Sequence, residues 1–354
     1  MNAIDKPIRI LANDVGAGTQ DILIYDSSTS IENCFKLVVP SQTVIVGRRI
    51  AKATERGQDI FLTGKLMGGG ACGRAMTRHI EAGLKVYATE EAAKTLHDNL
   101  NRVRQMGVEI TERPPSDAVR IETRDIDLES LRRALETFEV ELPDRFAVAV
   151  QDHGECIEGS NREFRFQHFR EFAQAGGNIR DLAFADAPEH LTRMRAVQAS
   201  VPDCIVMDTG PAAIWGALFD PEIAKRSKEG VIIVNVGNAH TFGALVQDKR
   251  IWGLFEHHTG DMTPRKLADY VERLRISALP HEEVLADGGH GAYVHPDFAP
   301  GNAFKFVSVT GPNRGIVKDL GYHAAAPFGD MMLTGCFGLV AAVLEMEGLP
   351  VTLK

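Results

Sequence analysis

An internal repeat constrains this fold more than any other feature. IRILANDVGAGTQDILIYD, beginning at Ile8, and VIIVNVGNAHTFGALVQD, beginning at Val231, each read as strand, glycine turn, strand. Setting Asp14 against Asn235 brings Gly16 onto Gly237 and the stretch Ala17 to Thr19 onto Asn238 to His240. Repeated supersecondary units imply a duplicated architecture, so two lobes closing on one ligand are expected. In the first copy Gly16 and Gly18 free the backbone to turn with its amides toward an anion, and Thr19 and Gln20 add side-chain donors. DILIYD then continues as strand, whereas a dinucleotide-binding unit would open a helix at that point.

At 354 residues the chain predicts two domains. Hydrophobic content of 44% and charged content of 25% are those of a globular protein, and the net charge of -9 argues against a nucleic-acid partner. MNAIDKPIRI shows no signal-peptide pattern, and the apolar stretch Met331 to Leu344 is too short and too interrupted to span a bilayer. A soluble, cytoplasmic protein without a membrane partner is expected. The five cysteines are scattered, and neither CxxC nor CxxxCxxC occurs. That pattern predicts reduced thiols and leaves radical chemistry on an iron–sulfur cluster without ligands.

Strand and helix alternate from residue 8 to about 105, which predicts a mostly parallel sheet with covered faces. Residues 111–145 and 155–200 read as insertions, the first with one amphipathic helix through Leu128, Leu131, Leu135 and Phe138. Four phenylalanines in the second, Phe164, Phe166, Phe169 and Phe172, read as buried helix faces. A strand at Asp203 to Met207 opens the second half, strands at Val231 to Val236, Thr241 to Val246 and Arg250 to Leu254 rebuild the meander, and a helix closes the chain. The expected division is an N-terminal lobe of residues 1–200 and a C-terminal lobe of residues 201–354.

LANDVGAGTQD resembles the first phosphate motif of the actin, DnaK-type chaperone and sugar kinase superfamily, and IVNVGNAHT resembles the second. FVSVTGPNRGIV is similar to the adenosine motif of DnaK-type chaperones, while DTGPAAIWGAL and APFGDMMLTGCFGLVAA sit where interdomain connecting helices belong. The string including VQDHG, GNAHT and PFGDMM also resembles an uncharacterised family labelled putative pyruvate formate-lyase activating enzyme. The resemblance implies an α/β fold of two actin-like ATPase (ribonuclease H-like) lobes, with a duplicated three-stranded meander and a cleft between them. It implies ATP and magnesium as cofactors: Asp14 orients the cation, and Gly16, Gly18 and Thr19 cradle a phosphate. Gly237, Asn238 and Thr241 would grip from the other lobe, and Gly311 with Arg314 would hold purine and ribose. Where the second motif usually presents an acid this chain has Asn235, so hydrolysis is expected to be slow or absent.

Catalysis would need a base near the cleft. Asp152, with Gln151 beside it, follows an apolar strand, and Asp208 precedes a helix; both stand at strand C-terminal ends, where α/β sites form. A competing reading comes from histidine. His153, His240, His257, His258, His290, His295 and His323 lie in or beside glycine-rich turns, and imidazoles from His153, His240, His257 and His258 converging with Asp152 or Glu256 would make a transition-metal site. Two readings stay open: an enzyme or switch that binds ATP with magnesium and either hydrolyses it or phosphorylates an unknown small molecule, and a non-hydrolysing binding or regulatory module whose cleft holds a nucleotide, or a metal through the histidines; the further partner is an unknown small molecule or a partner protein.

Overall fold

The first glycine turn closes a hairpin because a run of apolar residues stands on each side of it, buried on both faces of the sheet. In the computed structural model, which describes residues 7–299 and 303–353, β1 (Arg9–Val15) and β2 (Thr19–Asp26) pair antiparallel with Asp14 opposite Asp21, and β3 (Phe35–Pro40) completes the meander. β4 (Ile60–Gly64), β5 (Val86–Ala88), β6 (Val108–Ile110) and β7 (Val119–Thr123) form a separate parallel sheet in the order β6-β5-β4-β7. The chain then returns to the first sheet with β8 (Arg145–Val150), β9 (Ala183–Phe184) and β10 (Cys204–Met207), giving the order β3-β2-β1-β8-β10-β9.

The second half repeats this plan. β11 (Val231–Val236), β12 (His240–Gln247) and β13 (Arg250–His258) form the meander, and β14 (Gly291–Val294) extends its edge. β15 (Phe306–Thr310) and β16 (His323–Ala324) add in parallel beside β11, so the order is β14-β13-β12-β11-β15-β16. β1, β2, β3, β8 and β10 thus correspond one for one to β11, β12, β13, β15 and β16. The fold is α/β, with two actin-like, ribonuclease H-like sheets and a cleft between them.

Two apolar helices, Thr209–Ala217 and Thr334–Met346, are buried along nearly their whole length between the sheets. Apolar residues on every side suit a helix with no solvent face. Their backbones touch at Gly216 and Gly338, where a Cβ would overlap the carbonyls of Thr334 and Ala212 respectively. Cys336 fixes the second helix to the first sheet, its thiol donating to the carbonyls of Ala12 and Asp21. No helix among the described residues is long and apolar enough to cross a membrane.

Three expectations about organisation need correction. Cys204–Met207 pairs with β8 in the first sheet, so that sheet continues past residue 200. The region 111–145 is not one insertion: β7 joins the separate sheet, which has its own core of Val46, Ile50, Leu62, Met76 and Val103. The helix Leu128–Glu136 instead packs Leu131 and Leu135 under the first sheet, while Phe138 lies beyond its end and is 63% exposed. Parallel strands are joined through crossovers, so local pattern does not say which sheet a strand enters. In the region 155–200, Phe166 and Phe169 are buried on the helix Asn161–Gln174.

Candidate functional site

A cleft of about 350 Å³ opens between the two main sheets and is overhung by the small parallel sheet. Its walls include Asp14, Gly16, Thr19, Asp21, Gln151, His153, Asn235, Gly237, Asn238, His240 and Gly311. The two glycine turns that face it are the same structure. Gly16 N donates to Thr19 O at 2.9 Å, and Gly237 N donates to His240 O at 2.9 Å. Among the described residues the amides of Ala17, Gly18, Asn238 and Ala239 have no backbone acceptor. Successive free amides of this kind form an anion-binding concavity. The turns also meet: a Cβ on Gly18 would lie 3.0 Å from Asn238 Nδ2.

Equivalent positions carry different chemistry. By strand register Asp14 and Asp21 in the first lobe correspond to Asn235 and Phe242 in the second, and Thr19 corresponds to His240. The first lobe therefore supplies two carboxylates, and Oδ1 of both Asp14 and Asp21 is buried without a hydrogen-bond partner. Burial raises the Asp14 carboxyl well above its usual range, and the charges of Asp21 and Asp208 add to the rise. Burial raises Asp21 to about 7, with Asp330 adding and a hydrogen bond from Thr19 opposing.

Strand parity removes three candidates from the cleft. Successive side chains of a strand point to opposite faces, so Gln20 is turned away from Thr19 and Asp21. Gln20 accepts from Asn13 and donates to the Pro40 carbonyl, both at 3.1 Å. Thr241 is fully buried, its hydroxyl 3.0 Å from that of Thr259, which itself bonds the Gly237 carbonyl at 2.9 Å; it braces the turn instead of gripping a ligand. His257 faces the outer layer, 3.2 Å from Asp287. Arg314 is a fourth departure: its guanidinium folds back toward the Gly311 carbonyl at 3.4 Å and is absent from the cleft wall. Gly311, at φ +96°, does line the cleft, and Asn313 ties its loop to the second turn through Val236 O and Gly237 O.

The carboxylates expected to act as bases are engaged. Asp152 accepts from the amides of Gly154 and Met194 at 2.8 and 2.9 Å. Asp208 caps the helix Thr209–Ala217 and receives two hydrogen bonds from Arg165, at 2.6 and 3.0 Å. The same guanidinium binds Glu256 at 2.8 and 2.9 Å and the Asp152 carbonyl at 2.6 Å. Arg165 is only 3% exposed and joins the first sheet to the second. Gln151 lines the cleft, its amide 3.2 Å from Glu256. Arg193 makes a second bidentate contact, to Asp125 at 2.8 Å, and bonds the Gln151 carbonyl at 2.7 Å, tying the small sheet to the cleft.

Histidines do converge, but in a different set from the one expected. His153, His240 and His290 bring ring nitrogens within 4.8 Å of one another, and His258 packs beside them with its ring centre 4.8 Å from that of His240. His323 is elsewhere, bonded to Asp220 at 2.8 Å. Asp21, Arg165, Arg193 and the inclusion of His290 in the cluster are therefore additions from the structure. For Asp21 a signal existed, since parity with Thr19 places both on one face. His290 was legible only as one of seven histidines in or beside glycine-rich turns, and Arg165 and Arg193 gave no signal, because their partners are distant in sequence. The five cysteines are free and buried, and among the described residues no three come together as metal ligands. The donor set does not fit an iron–sulfur cluster.

Solved structures similar to the chain include the ethanolamine utilization protein EutJ from Carboxydothermus hydrogenoformans, at 13% identity over 94% of this chain and 89% of that one, with a TM-score of 0.35. A chain of the PilM-PilN type IV pilus biogenesis complex matches at 9% identity over 96% and 99%, TM-score 0.36. A ROK family transcriptional regulator, a homolog of the E. coli MLC protein, matches at 7% identity over 69% of this chain, TM-score 0.28, and the chain spans 37% of that regulator's length. No curated protein matches the chain. A family profile covers residues 67–316, and the chain belongs to that family, which is described as "Putative pyruvate format-lyase activating enzyme (DUF1786)".

Proposed function

We propose that the cleft binds a nucleotide, ATP by preference, together with magnesium, and turns it over slowly. The observation that carries this reading is the pair of matching glycine turns, each with free amides, meeting across the cleft beside two carboxylates that each keep one buried oxygen without a partner. Phosphates would lie between Ala17–Thr19 and Asn238–Ala239, and the base toward Gly311. Asp14 and Asp21 fit a hard divalent cation, which takes oxygen ligands, and they would hold it directly or through its water. When bound, the cation would neutralise phosphate charge.

Slow turnover follows from what surrounds the cleft. Asp152, Asp208 and Glu256 already accept hydrogen bonds from amides or from Arg165, so none stands ready to take a proton from water. Asn235 brings no charge to the second turn. The test is calorimetry of the full chain with ATP and ADP, with and without magnesium. Asp14→Asn removes a charged ligand, and the loss of about 1.5–3 kcal/mol expected for a charge-assisted contact is roughly a tenfold or greater weakening. Absence of any magnesium-dependent binding of adenine or guanine nucleotides to the wild type would overturn the proposal.

A further inference from the structure

We propose that His153, His240 and His290 form a transition-metal site of three imidazoles with a fourth position open to the cleft. The inference is independent of nucleotide binding, because it uses soft nitrogen donors from other residues than the carboxylate pair. His153 follows β8 of the first lobe, His240 opens β12 of the second, and His290 precedes β14. An ion here would join the two lobes.

The spacing supports a shared ion. His153 Nε2 and His290 Nε2 are 3.4 Å apart, long for a good N–H···N bond. Two nitrogens about 2.0–2.1 Å from one tetrahedral zinc stand about 3.3–3.4 Å from each other. His240 completes the triangle within 4.8 Å, and a turn of its ring would close the remaining gap. That turn sacrifices nothing, because both nitrogens of His240 are buried without a partner among the described residues. A hydrogen bond between His153 and His290 would still leave His290 Nδ1 and both nitrogens of His240 buried without a partner among the described residues, an unfavourable state for buried polar atoms.

The surroundings suit a cation. The adjoining node sets one guanidinium against two carboxylates, Asp208 and Glu256. Glu256 is committed to Arg165 and Gln151, which leaves nitrogen as the available donor. His153 and His240 line the cleft, so the remaining coordination position faces it. Three protein ligands and an exchangeable fourth characterise zinc sites that act on a ligand, as opposed to closed structural sites.

The experiment is titration of metal-stripped full-length protein with Co²⁺, followed by visible absorption, and then with Zn²⁺ in competition with a chromophoric chelator. The expected result is one Co²⁺ per chain with the intense d–d bands of a four-coordinate ion, displaced by Zn²⁺. His153→Ala, His240→Ala and His290→Ala should each weaken binding by about tenfold or more, because outer-sphere losses alone reach that range. His258→Ala should leave the spectrum and affinity unchanged. Folding of each variant is checked by circular dichroism, and the wild-type spectrum decides the matter if the variants fail to fold. Weak six-coordinate bands, binding below one equivalent, or unchanged affinity in the folded His variants would overturn the site.

Discussion

Arg165→Met tests whether one guanidinium holds the two lobes in register. Arg165 is buried at 3% exposure and makes four hydrogen bonds to the carboxylates of Asp208 and Glu256, at 2.6 to 3.0 Å. Methionine keeps much of the volume and removes the charge, leaving two buried carboxylates without their cation. Breaking a buried ion pair by removing one partner costs about 3–5 kcal/mol. The loss should depend on pH. Burial pushes the Glu256 carboxyl up, but Arg165 outweighs it and holds the group below its usual range. In the wild type that group contributes stability present above the unfolded value of about 4.3 and lost as pH falls through the lower folded value. In the variant burial acts without Arg165, so the folded value rises above the unfolded one. The variant then recovers stability on acidification, and the gap between the proteins should be widest near pH 7.5 and narrower near about pH 5.5. Urea unfolding followed by the fluorescence of buried Trp215 measures both. A loss under about 1 kcal/mol, or one equal at the two pH values, would refute the claim that the node carries uncompensated charge.

Two further outcomes are expected. Gly338→Ala should gain about 1 kcal/mol from helix propensity alone, yet its Cβ would overlap the Ala212 carbonyl where the central helices touch; overpacking of that kind should reverse the sign, with a net loss of about 1–3 kcal/mol by chemical denaturation. Burial raises Asp21 to about 7, so magnesium-dependent nucleotide affinity should rise as pH increases through 7, and Asp21→Asn should flatten that dependence in calorimetry. The same raised value means that Asp21 stabilises the metal-free fold fully below its unfolded value of about 3.9 and that this contribution is lost as pH climbs through about 7; thermal melts without magnesium should show a smaller loss in the variant than in the wild type, the remainder coming from Asp14, which burial also raises.

What could be read from the chain alone was local. The glycine turns, the apolar strands around them and the small-residue helices are written in short stretches, because a turn needs glycine, a strand covered on both faces needs a continuous apolar run, and closely crossing helices need residues without bulk. From these the matching hairpins, the meanders and the close approach at Gly216 and Gly338 were all foreseeable. Parity was equally available, and applying it would have turned Gln20, Thr241 and His257 away from the cleft and brought in Asp21. Tertiary structure alone decided the rest. Arg165 meets Glu256 across 91 positions of chain and His153 meets His290 across 137, while the strands of the small sheet could have joined the main one without any change of local pattern. Contacts of that kind depend on how whole sheets pack, and they determined which carboxylates brace the lobes and which imidazoles share one point in space.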